Sequence, residues 1–193
     1  VYKRQPQDGG LMAVIEAIAT TYLEADAASV TFSGIPSTYE HLQLRVSVRE
    51  ETSAADRSAF GIQFNGDTAA NYGGVHSIQG LGSSAGVSNW SDADVTDLIY
   101  INYGLVGGSS PVTWYSSAVV DILDYRNANK NKTVSYIGGW GGLSANPRAA
   151  VCLGSDFWDS TAAITSLSII GSPYASLDFA RGSEFTLYGL NSS

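Results

Sequence analysis

The stretch "HLQLRVSVRE" (residues 41–50) alternates without a break: Leu42, Leu44, Val46 and Val48 fall on one side of an extended chain, and His41, Gln43, Arg45, Ser47 and Arg49 on the other. Successive side chains of a strand point to opposite faces, so this pattern buries one face and wets the other. A helix would spread the same apolar residues around its axis. The stretch therefore predicts a half-buried antiparallel strand whose apolar face needs a second layer to cover it.

Working outward, the same period recurs. "AFGIQFN" (59–65) puts Phe60, Ile62 and Phe64 together. "SAVVDILDY" (117–125) sets Val119 and Leu123 against Val120 and Ile122, apolar on both faces, which predicts a central strand. "KTVSYIGG" (132–139) follows the polar "RNANKN" (126–131), and the two runs read as a hairpin. "AITSLSIIG" (163–171) and "EFTLYGL" (184–190) are further strands, with weaker ones at "VIEAIATTYL" (14–23) and "ASVTFSGI" (28–35). "MAVIEAIATTYLEA" (12–25) also has the propensity for a helix. Gly-, Ser-, Asn- and Asp-rich segments at 50–57, 65–74, 80–95, 104–112, 139–148 and 171–183 read as loops.

The closing run lies only three residues from the chain end, where an unsecured segment frays. It is expected to be an interior strand, with the terminal strands side by side in a sheet. Phe185 and Leu187 would point to the core, and Gly189 would let a neighbour approach closely. The fold class is all-β: a two-sheet antiparallel sandwich, jelly-roll-like, of about ten strands, with first and last strands within the sheets.

Composition agrees. Of 193 residues, 44% are hydrophobic and only 15% charged, the opposite of a disordered chain. Net charge is −8, and the densest basic segment, "YRNANKNK" (125–132), reads as a turn, so no nucleic-acid partner is expected. The lone cysteine, Cys152 in "AAVCLG" (149–154), leaves no intrachain disulfide and reads as a buried, inert thiol. No apolar run approaches the roughly 20 residues of a membrane-spanning helix, so no membrane insertion is expected. No signal-peptide pattern is present. "VYKRQ" (1–5) is what the end sequence of a transposase adapter encodes. Residues 1–11 are accordingly expected to be a non-native read-through leader on a metagenomic fragment, and 12–193 a single β-sandwich domain.

Candidate binding groups concentrate in "FNGDTAANYGGVH" (64–76), where Asn65, Asp67, Asn71 and Tyr72 offer hydrogen bonds and a stacking face for a sugar or partner. Asn65-Gly66 is equally the signature of a hairpin turn. Trp90, Trp114, Tyr115, Trp140 and Trp158 are the exposed-aromatic candidates. Trp140 stands in "GGWGGL" (138–143), placed either to stack on a ligand or to plug the end of the sandwich. Asp92, Asp94 and Asp97 in "WSDADVTD" (90–97) are an all-oxygen calcium candidate, but the helix–loop–helix pattern lacks its central Gly and twelfth-position Glu. Catalysis has little to stand on. His41 and His76 are the only histidines, "GSSAGVS" (82–88) is no nucleophile elbow, and one Cys with two scattered His does not close a zinc site. No cofactor motif appears.

The ordered set "IATTYLEADAASVTFSGIPSTYEHLQLRVSVR" (18–49), "FNGDTAANY" (64–72), "VVDILDYRNANKNKTV" (119–134), "WDSTAAITSLSII" (158–170) and "GSEFTLYGL" (182–190) resembles small β-sandwich virion proteins of marine and cyanobacterial tailed phages. The resemblance spans nearly all of residues 12–190 and implies a non-enzymatic structural protein, either capsid decoration or a tail-fibre component. It would act by protein–protein binding within a virion, as a homo-oligomer (a trimer favoured) and with other virion proteins. The resemblance carries no agreed functional residues. Two alternatives are a carbohydrate-binding sandwich recognising a host glycan and a glycan-cleaving enzyme built on a carboxylate pair.

Overall fold

The described residues form twelve strands, the alternating stretches among them: β1 (Val14–Tyr22), β2 (Ser29–Ser33), β3 (His41–Val48), β4 (Arg57–Phe64), β5 (Tyr72–Leu81), β6 (Gly86–Ser91), β7 (Ile99–Val106), β8 (Ser116–Ile122), β9 (Lys132–Gly142), β10 (Arg148–Trp158), β11 (Ser166–Gly171) and β12 (Glu184–Asn191). The computed structural model describes residues 14–51, 57–81, 86–91, 97–107, 112–142, 148–171 and 177–191. The expected leader, residues 1–11, lies outside them. Among the described residues there is no helix, and residues 14–22 are strand.

Two antiparallel sheets form, one of eight strands in the order β1-β12-β3-β8-β9-β10-β5-β6 and one of four in the order β2-β11-β4-β7. They stack as a jelly-roll-like sandwich. Between them lies a core in which Leu42, Leu44, Phe60, Ile62, Phe64, Ile101, Leu167, Ile169, Phe185 and Leu187 are completely enclosed, or nearly so. Full burial of each such side chain contributes roughly 1.5–3 kcal/mol, offset by ordering entropy. Phe179 packs edge-on against Phe185 with ring centroids 5.0 Å apart.

The closing run is interior, as expected: β12 lies between β1 and β3. Phe185 and Leu187 face the core. The first strand differs from expectation in one respect, because β1 pairs with β12 but forms the sheet edge. β8 and β9 are the expected hairpin, and β8 is central between β3 and β9.

Four strands were not legible as strands: β5, β6, β7 and β10. Part of the expected loop at 80–95 is β6, and the expected loop at 139–148 begins inside β9. Gly138 and Gly139 of β9 are there for close packing. A Cβ at Gly139 would lie 2.5 Å from the Ala150 carbonyl oxygen, and one at Gly138 would lie 2.9 Å from the Ala118 Cβ. Glycine inside a strand marks such an approach of neighbouring backbone.

The Asn65-Gly66 turn is also a correction. Both residues have positive φ, 54° and 69°. Asp67 N–H donates to the Phe64 carbonyl at 2.9 Å. That is the primed turn expected of Asn-Gly. Yet the strands it joins, β4 and β5, lie in different sheets, so it carries the chain across the sandwich and closes no hairpin.

Candidate functional site

The four residues expected to form a binding loop do come together, but around the fold's own groups. Asn65 Oδ1 accepts from Thr165 N–H at 2.8 Å and Ser166 N–H at 3.1 Å, and its Nδ2 donates to the Ala163 carbonyl at 2.9 Å. This fastens the turn to the segment leading into β11. Asp67 is the hub: Oδ1 accepts from Ala69 N–H at 2.9 Å, and Oδ2 accepts from Asn71 Nδ2 at 2.8 Å and Trp158 Nε1 at 2.7 Å. These three donors hold its carboxyl below the ordinary value of 3.8. Tyr72 is buried, its ring stacked on Trp158 with centroids 6.3 Å apart. Its hydroxyl accepts from Phe64 N–H at 3.0 Å, and burial raises its pKa to about 12. A ring enclosed this way offers no face to a sugar.

The aromatic candidates move in the same direction. Trp140 sits on β9, not on a loop, and is 7% exposed; Trp158 is 2% exposed. Trp114 is half-buried against the core, and Tyr115 donates its hydroxyl to the Arg181 carbonyl at 2.7 Å. Trp90 falls on β6. Of the calcium candidates, Asp92 and Asp94 lie outside the described residues, and Asp97 is exposed. Among the described residues no group of three or more His, Cys, Asp or Glu is placed to hold a metal ion.

At one end of the sandwich, the turn between β8 and β9 forms a polar hollow lined by Glu40, His41, Asp124, Arg126, Asn127 and Asn129. Asp124 has φ 51°. Its N–H donates to His41 Nδ1 at 3.0 Å, and Lys130 Nζ donates to its Oδ2 at 2.7 Å. Lys130 is the first cause of a lowered Asp124 carboxyl pKa. Beneath the turn, Lys132 is completely buried, and its ammonium donates to the carbonyls of Asn127 at 2.7 Å, Lys130 at 2.9 Å and Thr161 at 3.1 Å. Sequence reading passed Lys132 over. The signal was there, since it shares the period-two face of Val134 and Tyr136, both buried. These charges are used to close the turn.

The outward face of the eight-stranded sheet is of a different kind. Along β8, β9 and β10 the outward residues include Val119, Ile137, Val151, Leu153 and Phe157, set among Ser117, Thr133, Ser135, Gly139, Gly141, Ala149 and Ser155, with one charge, Asp121 on β8, which accepts from Gln43 Nε2 at 2.7 Å. Ile137 is 57% exposed, Leu153 54%, Val151 51% and Phe157 48%. Val75 on β5 extends the patch beside Ser155. An outward strand face is ordinarily polar. Here Val119, Ile137 and Leu153 pair in one row across three strands. Beside that row Gly139 and Gly141 floor an open trough of about 520 Å³, rimmed by Tyr115, Ser117 and Val151. Ten outward positions on β9 and β10, from Thr133 to Gly141 and Ala149 to Phe157, carry no charge in a chain of net charge −8. An uncharged apolar patch of this extent is uncommon on the outward face of a sheet.

No protein-family model matches this chain, and no curated protein matches it in sequence.

Proposed function

We propose that this chain is a non-enzymatic structural protein of a phage virion, a capsid-decoration or tail-fibre component, that works by packing the outward face of its eight-stranded sheet against another folded protein. The observation that supports it is the apolar, charge-free surface around Ile137, Leu153, Val151 and Phe157. Side chains of this kind, left half-exposed on a rigid sheet, gain free energy only when a second surface removes them from water, roughly 25 cal/mol for each Å² of apolar area. The sheet supplies the flatness and the core beneath it the rigidity, so little ordering entropy is lost on docking.

The carbohydrate-binding alternative has less to work with, because its two chosen platforms, Tyr72 and Trp140, are buried. The virion placement itself comes from the sequence resemblance. An antibody raised against the folded chain should stain purified virus particles from the source of the gene. Its presence only in soluble or cellular fractions would overturn the virion assignment.

A further inference from the structure

We infer that the outward face of β8, β9 and β10 pairs with the same face of a second copy of this chain about a two-fold axis; this rests on the proposal that the face is an assembly surface and names its partner. The relief of the face carries the inference. Val119, Ile137 and Leu153 form a ridge across three adjacent strands, in register. One step along the strands, the next outward row is Ser117, Gly139 and Val151, which contains the glycine floor of the trough. A ridge and a furrow side by side are complementary to their own copy turned through 180°. Place the axis midway between two stacked sheets, running across the strands between the two rows. The ridge of each copy then enters the furrow of the other, with Ile137 over the partner copy's glycine floor and Leu153 against its Val151.

Charge agrees with that occupant, and extent sets how tightly it is held. The three strands β8, β9 and β10, spaced about 4.8 Å and each rising about 3.4 Å per residue over about nine residues, give a face of roughly 400 Å². A standard interface buries about 800 Å² per partner, so a face of this size makes the weaker, concentration-dependent kind of pair. Copies of a chain carrying −8 repel at a distance, so their contact must be where charge is absent, and β9 and β10 provide that region. The furrow is also fixed by the fold, because any side chain at Gly139 would drive its Cβ into the Ala150 carbonyl oxygen. Two-fold pairing, in place of the trimer expected from sequence, is what one ridge beside one furrow can close.

Light scattering on the full chain tests this, alongside two variants that change only the face. Ile137→Lys with Leu153→Lys puts charge on the ridge at half-exposed positions. Gly141→Arg fills the furrow at the one floor glycine where a Cβ meets nothing nearer than the Ala149 Cβ at 3.7 Å, so the fold tolerates it. Expected are twice the 20.3 kDa protomer mass for the native chain and a single protomer for both variants, with unchanged circular-dichroism melting. A monomer up to about 100 μM, a dissociation constant beyond which pairing has no use at ordinary concentrations, overturns self-pairing. A dimer that survives both variants overturns the face. A trimer that the variants dissociate keeps the assembly surface and overturns the two-fold axis. None of these outcomes bears on whether the antibody finds the chain in particles.

Discussion

The ring of Tyr39 lies flat over Gly189, so close that a Cβ at position 189 would fall inside the van der Waals surface of the ring carbons. Tyr39 then donates its hydroxyl to Glu16 Oε2 at 2.9 Å, tying the approach to β3 to the edge strand β1 across β12. One absent methyl group therefore lets a single aromatic side chain clamp three strands.

Gly189→Ala should displace that ring and cost about 1–3 kcal/mol, the usual penalty of overpacking. For a chain of this size that is a fall of roughly 2–4 °C in Tm per kcal/mol. Removing the ring with Tyr39→Ala makes room for the methyl, so the double variant should lose less than the sum of the singles. Strict additivity in urea titrations would show that the two positions do not contact each other in solution.

Asp67 makes a prediction with a defined pH direction. Its carboxylate accepts from three donors, Asn71 first, and its folded pKa lies below 3.8. Above 3.8 both folded and unfolded chains are ionised there, and the stabilisation is fully present. As pH falls through the window below 3.8, the unfolded chain takes up a proton first and the stabilisation drains away. Asp67→Asn must turn an amide N–H toward a donor, Trp158 Nε1 or Asn71 Nδ2 among them, and should cost roughly 1–3 kcal/mol near neutrality. The gap between native chain and variant should narrow as urea midpoints are followed from about pH 5 to about pH 3. A gap that does not change with pH would mean that the carboxylate is not the hub.

How much of this could be read beforehand depended on which face was wet. In β3 the outward residues are His41, Gln43, Arg45 and Ser47, so alternation is clean and the strand legible. In β10 the outward Val151, Leu153 and Phe157 are as apolar as the inward Cys152 and Trp158, and the period disappears. The feature that hid this strand is thus the one on which the proposed contact surface rests. Turn chemistry was legible at Asn65-Gly66, but a turn type does not say which sheet receives the next strand. The polar groups of 64–72 looked like ligand donors because a sequence shows a side chain's capacity for hydrogen bonds. The partners that tie them to the rest of the fold, Ala163, Thr165, Ser166 and Trp158, lie some ninety or more residues away.

Cys152 should be chemically silent. It is fully buried on β10 opposite Gly138, and burial pushes its thiol up to about 11. Only the thiolate reacts, so at neutral pH both protonation and enclosure protect it. A thiol-specific chromogenic reagent should titrate no sulfhydryl in the native chain and one per chain in denaturant. Prompt native labelling would mean that β9 and β10 separate readily.

Lys132 gives the strongest single-site expectation. Its ammonium reaches three main-chain carbonyls that converge beneath the β8–β9 turn, two from the turn and one, Thr161, from the segment after β10. Lys132→Met keeps most of the stem's volume and removes every donor, leaving those carbonyls to water or to nothing. The cost should be at least about 2 kcal/mol. Burial lowers the amine's folded pKa below its usual 10.5. Between those two values the unfolded chain holds a proton that the folded chain has released, so native stability contributed by this group rises with pH there. The native chain should therefore gain on the Met variant as pH is raised from neutrality toward 10.5. Urea midpoints for the pair, taken at matched pH, isolate that difference from all other titrations. A variant as stable as the native chain at neutral pH would mean that the turn closes without its lysine.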